Sequence, residues 1–455
     1  MLYPAQIGYQ GVKPPAEKLA ATGVTSDTAR KLRPMLVAQV YLWGVLAIFA
    51  FGPWPWPVQN PIQLYGFLTL AHIALFAGYW FRSRGPIPRP KAGPNADMVV
   101  LVSSIAVLIV YGGLIAVRQA KGFSLEDVIY DPGAAYNENN AMGLALERGS
   151  NVPVIGNMRT FLSPLLFFSF PIGALYWSEL KWITRSVFLG GTLCYSFYWL
   201  FIGTNKGLAD LVIQGAGVAL IKYSLPSPQK RIFSRAATVL LVVAGLIGFL
   251  GFFTYNMISR KGSEAIRDYL PVPGIELDYS NPLVNSMPEF GKNGVASFTL
   301  YLNQGYYGLS LCLDQDFVWT KGVGHSWALQ TLIGQYFQNT TFMEDTYQFR
   351  AEGTSGWSGY ANWHSIYPAL ASDFTFPGAV IIMFGIGWLA CRLWYESIYE
   401  QRLVSICLFI KLTMLIAYSS CNNQIMLGRP EFISTWGLIL LWLFKVPIGK
   451  TKTTA

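Results

Sequence analysis

The reactive groups of this sequence are concentrated around His364. The stretch Trp363-His364-Ser365-Ile366-Tyr367 continues through Asp373-Phe374-Thr375-Phe376-Pro377-Gly378, passing from a segment rich in Gly, Asn, Tyr and Trp into an apolar one. The chain has 3 histidines in 455 residues. An imidazole titrates near neutral pH, so His364 is a candidate general base, or a donor to a reacting oxygen. A hydrogen-bonded structural histidine at an interface is the alternative. His325, in Gly324-His325-Ser326-Trp327, is a second candidate, and His72 lies inside an apolar run where packing is its expected role.

Cations that a phosphate could use lie at the ends of apolar runs or in the long polar stretch: Arg159, Lys206 (beside Asn205), Arg260, Lys261, Arg350 and Arg429. Arginine binds oxyanions through a planar fork. Such end-of-helix charges also serve simply to reach the headgroup level. Carboxylates are plentiful nearby. Asp314-x-Asp316 has the form of a weak divalent-ion motif, with a solvated loop as the alternative. Asp373, directly before an apolar run, is expected to cap the helix that follows by accepting from its free N–H groups. Asp210 and Lys411 fall inside apolar runs, where a charge is costly and marks either a pathway or a buried pair. The sequence has no Walker loop, no GxSxG and no HExxH. Its five cysteines have no CxxC spacing, so no metal and no cofactor are expected.

The elements that position these groups follow from composition. Hydrophobic residues make up 53% and charged residues 13%, against roughly 25% charged in soluble domains. A bilayer span needs about 20 apolar residues. Runs of that kind predict an all-α, polytopic membrane helix bundle. Spans are expected near 35–53, 61–81, 98–117, 158–178, 184–203, 207–222, 235–258, 374–391, 403–420 and 431–448. Residues 295–313 and 325–338 are further candidates for re-entrant or surface helices, which raises the range to about 10–12 spans. The first 34 residues are polar and have no signal-peptide pattern.

Arg and Lys set the orientation. With both termini cytoplasmic, every short inside connection is basic, for example Arg82-x-Arg84 and Lys230-Arg231. The chain then divides into a cytoplasmic tail (1–34), a first bundle part (35–258), a large outer region (259–373), a last bundle part (374–448) and a second tail (449–455). His325, His364, Arg350 and the turn Gly203-Thr204-Asn205-Lys206-Gly207 fall on the outer face. Lys206 and Arg429 break the positive-inside bias there. The outer face offers no ATP, so a reaction there must draw on an activated, lipid-borne group.

These residues resemble those of the bacterial O-antigen polymerase and O-antigen ligase superfamily of integral-membrane glycosyltransferases. The ligase signature is His, then Asn, Ser or Gln, nine residues, Gly, two residues, then Gly, Thr or Tyr. This chain has His364-Ser365, nine residues to Phe374, then Thr375 in place of the first Gly, and Gly378. The polymerase pattern Asp-Phe-Gly-x-x-Gly is matched by Asp373-Phe374-Thr375-Phe376-Pro377-Gly378 with the same departure. The 203–207 turn is similar to the family's Gly-Ser/Thr-Arg turn, with Asn205-Lys206 at the arginine. The resemblance implies a metal-independent, GT-C-type enzyme at the outer face of the bacterial inner membrane. Its donor and acceptor are undecaprenyl-diphosphate-linked oligosaccharides, and a chain-length regulator is a further partner. No nucleic acid is involved. It implies His364 as base, with Arg350, Lys206, Arg159, Arg260 and Arg429 toward the diphosphate. Trp357, Tyr360, Trp363 and Tyr367 would stack on sugars. Transfer to a lipid A core by a ligase, and transport of lipid-linked glycans, are the alternatives.

Overall fold

The structure is a computed structural model that describes residues 16–88, 94–120, 122, 126, 130–147, 154–225, 235–261 and 275–449. Among these residues it is all helical and contains no strand. The helices are α1 (Ala16–Phe51), α2 (Pro61–Ser83), α3 (Asp97–Gln119), α4 (Pro132–Glu147), α5 (Val154–Phe161), α6 (Ser163–Leu175), α7 (Trp182–Phe201), α8 (Lys206–Lys222) and α9 (Arg235–Lys261). They continue with α10 (Pro282–Asn285), α11 (Glu289–Cys312), α12 (Trp327–Phe337), α13 (Thr341–Glu344), α14 (Tyr347–Ser355), α15 (Ile366–Ile398), α16 (Leu403–Ala417) and α17 (Arg429–Leu443).

The sidedness of α3 is that of a membrane helix. Met98, Val102, Ile105 and Ile109 face outward, whereas Ser103 and Ser104 are fully buried. A helix in water places its polar face outside. Here the apolar face is outside, and the Ser104 hydroxyl meets that of Ser169 on α6 at 2.8 Å. Among the described residues, four helices are long and apolar enough to cross a membrane: α1 from Arg30, α2, α3 and α15. The bent pair α5–α6, with 62° between its halves, makes a fifth if it is one span.

The other expected spans are helical as well: 235–258 falls in α9, of 27 residues, and the rest are shorter or more polar. α16 is apolar and has 15 residues. α8 has 17 residues and carries Lys206, Asp210 and Gln214. α7 has 20, with Ser186, Thr192 and Ser196 donating to the carbonyls of Trp182, Phe188 and Thr192 on its own backbone. α17 opens on Arg429-Pro430-Glu431. The expected outer segment 295–313 is part of the bundle: α11 is buried from Ala296 to Cys312 along most of its length, against α1, α9 and α14. The two tails and residues 262–274 fall wholly or partly outside the described residues.

Two arrangements position the chemistry. α2 and α15 pack along their length because glycines let the backbones meet. A Cβ on Gly78 would collide with the Phe384 carbonyl, and one on Gly387 with the Leu75 carbonyl. On the other side, α3, α5, α6, α7, α8, α16 and α17 pack around one another and leave a cleft between them.

Candidate functional site: a charged cleft and a histidine–aspartate pair

The cleft is open on one side and spans about 750 Å³, the adjoining solvent included. Arg159 enters from the end of α5, Lys206 and Asp210 from the first turns of α8, Lys411 from the middle of α16, and Glu431 from the first turn of α17. Lys206 and Asp210 are four residues apart, a spacing that places them on one helix face. The Lys206 ammonium donates to Asp210 at 3.0 Å and to Glu431 at 2.9 Å. The Arg159 guanidinium stands 4.0 Å from Glu431, donates to the Tyr198 hydroxyl at 3.3 Å, and lies over the rings of Tyr111, Tyr198 and Trp199. Tyr418 donates its hydroxyl to the second Asp210 oxygen at 2.9 Å. Three cations thus face two carboxylates in a space walled by aromatic and aliphatic side chains.

Lys206 and Arg159, singled out in the sequence on sidedness alone, therefore meet. Asp210 and Lys411, seen there only as costly residues, line the same space. Glu431 was missed, because an acid in the first turn of a helix is ordinary in any sequence. The i,i+4 spacing of Lys206 and Asp210 was a readable signal.

The second cluster lies around Asp373. Its carboxylate accepts from the Thr320 hydroxyl (2.5 Å), from the backbone N–H groups of Gly322 (2.8 Å), Gly324 (3.2 Å) and His325 (2.8 Å), and from His325 Nδ1 (2.8 Å). With Nδ1–H donating to this carboxylate, Nε2 of a neutral His325 carries the free lone pair. The Asp373 side chain is 1% exposed and that of His325 19%. The cluster is tied to α17: Asn423 donates to the His325 carbonyl, Ser326 to that of Met426, and Thr435 to that of Ile425. Beside it, Trp327, Phe349 and Tyr360 form an aromatic group of which Tyr360 is exposed.

Asp373 does not cap its own helix as expected, because α15 begins seven residues earlier, at Ile366. The cap falls to Thr375, whose hydroxyl accepts from the Gly378 N–H at 3.3 Å. Thr375 breaks α15 with φ 65° and ψ 165°, a conformation that glycine adopts with ease and a β-branched residue does not. Ser365, at φ 64° and ψ 177°, sits in the same region.

His364 is buried, and burial lowers its pKa to about 4. Its Nδ1 is 3.2 Å from the Asn362 carbonyl, and its Nε2 has no partner. It packs on α11 at Gly308, where a Cβ would press on its Cα, and it is not among the cleft residues. Neither histidine lines the cleft: His364 sits in a packed seam, and His325 is held through Nδ1 by Asp373 with its side chain partly exposed.

The other candidate residues lie outside the cleft lining. Arg350 is drawn to backbone carbonyls, donating to Asp345 at 3.1 Å and Asp316 at 2.8 Å while lying over Tyr347. Arg260 donates to the Gly203 carbonyl and covers the Tyr136 ring, which fastens the 203–207 turn. Asn205 accepts from Asn256 at 2.5 Å. Arg429 donates to Gln335. Trp357 is buried between Trp56 and Tyr307, Trp363 sets its edge on Tyr301, and Tyr367 is buried against Phe67.

Among the described residues no group of three or more His, Cys, Asp or Glu is placed to hold a metal ion. No protein-family model, curated protein or solved structure matches this chain.

Proposed function

We propose that the chain is a GT-C-type glycosyltransferase of the bacterial inner membrane that polymerises a surface polysaccharide. It transfers a growing glycan from undecaprenyl diphosphate to the terminal sugar of a lipid-linked repeat unit at the periplasmic face. The observation that carries this reading is the convergence of Arg159 and Lys206, from separate helices, in one cleft among apolar helices.

The acceptor hydroxyl attacks the anomeric carbon, and the bond to the diphosphate breaks. The diphosphate leaves with the electron pair and one more negative charge, which Arg159 and Lys206 meet. Fixed cations in a cleft of low polarity stabilise such growing charge strongly. The acceptor proton needs a base, and the candidate is His325, outside the cleft lining, whose Nδ1 bonds Asp373 and whose Nε2 is left to accept. Trp327 and Tyr360 offer ring faces for the acceptor sugar beside it.

The test uses purified protein in detergent with chelator and the lipid-diphosphate oligosaccharides of the source cell. A product ladder spaced by one repeat unit is expected, and R159M or K206M should abolish it. A single en bloc product on added lipid A core would instead make the protein a ligase. Transport of lipid-linked glycans is the second reading, favoured by Asp210 and Lys411 lying within helices rather than in connections. No ladder and no ligation, with lipid-linked glycan crossing liposome membranes, would select it.

A further inference from the structure

Lys411 has no role in the proposal above, and its surroundings give it none within the empty protein. It is 4% exposed, in the middle of an apolar 15-residue helix. Among the described residues its ammonium makes no hydrogen bond and no ion pair. It lies over the ring of Phe167, 4.2 Å from its centre. An ammonium removed from water without a counter-ion costs several kcal/mol. The two carboxylates of the cleft make their direct contacts with Lys206, Arg159 and Tyr418 and reach Lys411 only at longer range.

Donors elsewhere on the cleft wall are similarly unused. The Ser434 hydroxyl, Arg159 Nε and Trp199 Nε1 are buried without a hydrogen-bond partner. Lys411 is seven residues before Tyr418, which bonds Asp210, so it sits about 10 Å deeper along the helix than that contact. The cleft therefore has cations at two depths, an outer pair close to carboxylates and an inner one, Lys411, with no direct ion pair among the described residues.

We infer that the inner end of the cleft is an oxyanion subsite in which Lys411 is the principal cation, and that its ligand is a phosphate-class group. The charge count supports this: Arg159, Lys206 and Lys411 against Asp210 and Glu431 leave one positive charge for the ligand to neutralise. The inference rests on the polymerase reading only for naming the ligand, in which case the inner subsite takes the phosphate attached to the polyprenyl chain. Lys411 is a binding residue in this account, and the cost of its burial is offset only when the anion is present.

The test is thermal unfolding of the purified full chain in detergent, with and without inorganic diphosphate, for wild type, K411M and K411R. Removing an uncompensated buried charge should raise the unfolding temperature of ligand-free K411M above wild type. The same change should weaken diphosphate binding about ten- to a hundredfold, the share of one charge-assisted contact, while K411R retains it. A ligand-free K411M that unfolds earlier than wild type, or that fails to fold where K411R folds, overturns the inference by giving Lys411 a structural duty. Wild-type binding of diphosphate that K411M leaves unchanged also overturns it, as does no binding by wild type. A parallel titration with a short polyprenyl diphosphate separates the sources: tighter binding than inorganic diphosphate assigns the lipid-borne group, equal binding the free anion. Loss of glycan polymerisation with Lys411-dependent binding intact would remove the polymerase reading and leave this one standing.

Discussion

Asp373→Asn tests the reasoning most directly, because one carboxylate there holds a whole loop. Its Oδ1 accepts from Thr320, Gly322 and Gly324, and its Oδ2 accepts twice from His325. Asparagine has one carbonyl oxygen. If it serves the first three donors, the amide NH2 confronts both donors of His325. The imidazole can escape by moving its proton to Nε2 and accepting through Nδ1, but the His325 N–H cannot. That leaves one buried donor unsatisfied, and the remaining bonds lose their charge assistance. At about 1.5–3 kcal/mol for each charge-assisted bond, the combined loss is about 3 kcal/mol. Local opening should then be about a hundredfold more frequent, at 1.36 kcal/mol per decade. Hydrogen exchange resolved to peptides covering 320–326 reads this directly: the Gly322, Gly324 and His325 amides should exchange about a hundredfold faster than in wild type, with α2 and α3 unchanged. The tautomer switch also places a proton on Nε2, so transfer should fall by a hundredfold or more. Unchanged exchange in this segment would refute the claim that the carboxylate holds the loop, and with it the reason for preferring His325 as base.

Two further substitutions probe the residues around the break in α15. Thr375→Gly releases a backbone conformation that costs a threonine about 1–3 kcal/mol and loses a cap worth a few tenths to glycine; a net stabilisation of about 1 kcal/mol is expected, seen as a higher unfolding temperature. His364 is buried neutral with its pKa lowered to about 4 from 6.5. The unfolded chain therefore takes up the proton first as pH falls, so stability is complete above about pH 6.5 and is lost progressively down to about pH 4, by about 3 kcal/mol. His364→Gln should remove this part of the pH dependence in unfolding measured at pH 7 and pH 5; an identical slope in both proteins would contradict the burial of the imidazole.

What the sequence made legible was the set of helices, and what it left out was their order around the cleft. The apolar runs of α1, α2, α3 and α15 announce themselves by length and composition. The break at Thr375 has no such mark, since a threonine two residues before a proline is ordinary in a helix's first turns. Convergence is another matter. Nothing along the chain says that Glu431 faces Lys206 across 225 positions, because the partner choice is made by helix packing. Lys411 and Asp210 were visible as charges in apolar surroundings, yet their meaning depends on whether they find each other: Asp210 is claimed by Lys206 and Tyr418, and Lys411 is left over.

The two histidines carry the same lesson in reverse. His364 drew attention because it stands at the join of a polar and an apolar segment, but that join proved to be a tight seam. Ser365 N–H donates to the Cys421 carbonyl and Ile366 N–H to that of Ser419, and α11 closes on the pair through Gly305 and Gly308. Sealed in that seam, the imidazole keeps an Nε2 with no hydrogen-bond partner among the described residues. His325 looked weaker in a loop of glycines, yet those glycines let the backbone N–H groups at 322 and 324 turn onto Asp373 beside the imidazole. Glycines before a histidine are therefore consistent with a backbone wrapped around a distant carboxylate, a relation that becomes visible only when Asp373 is brought to the loop.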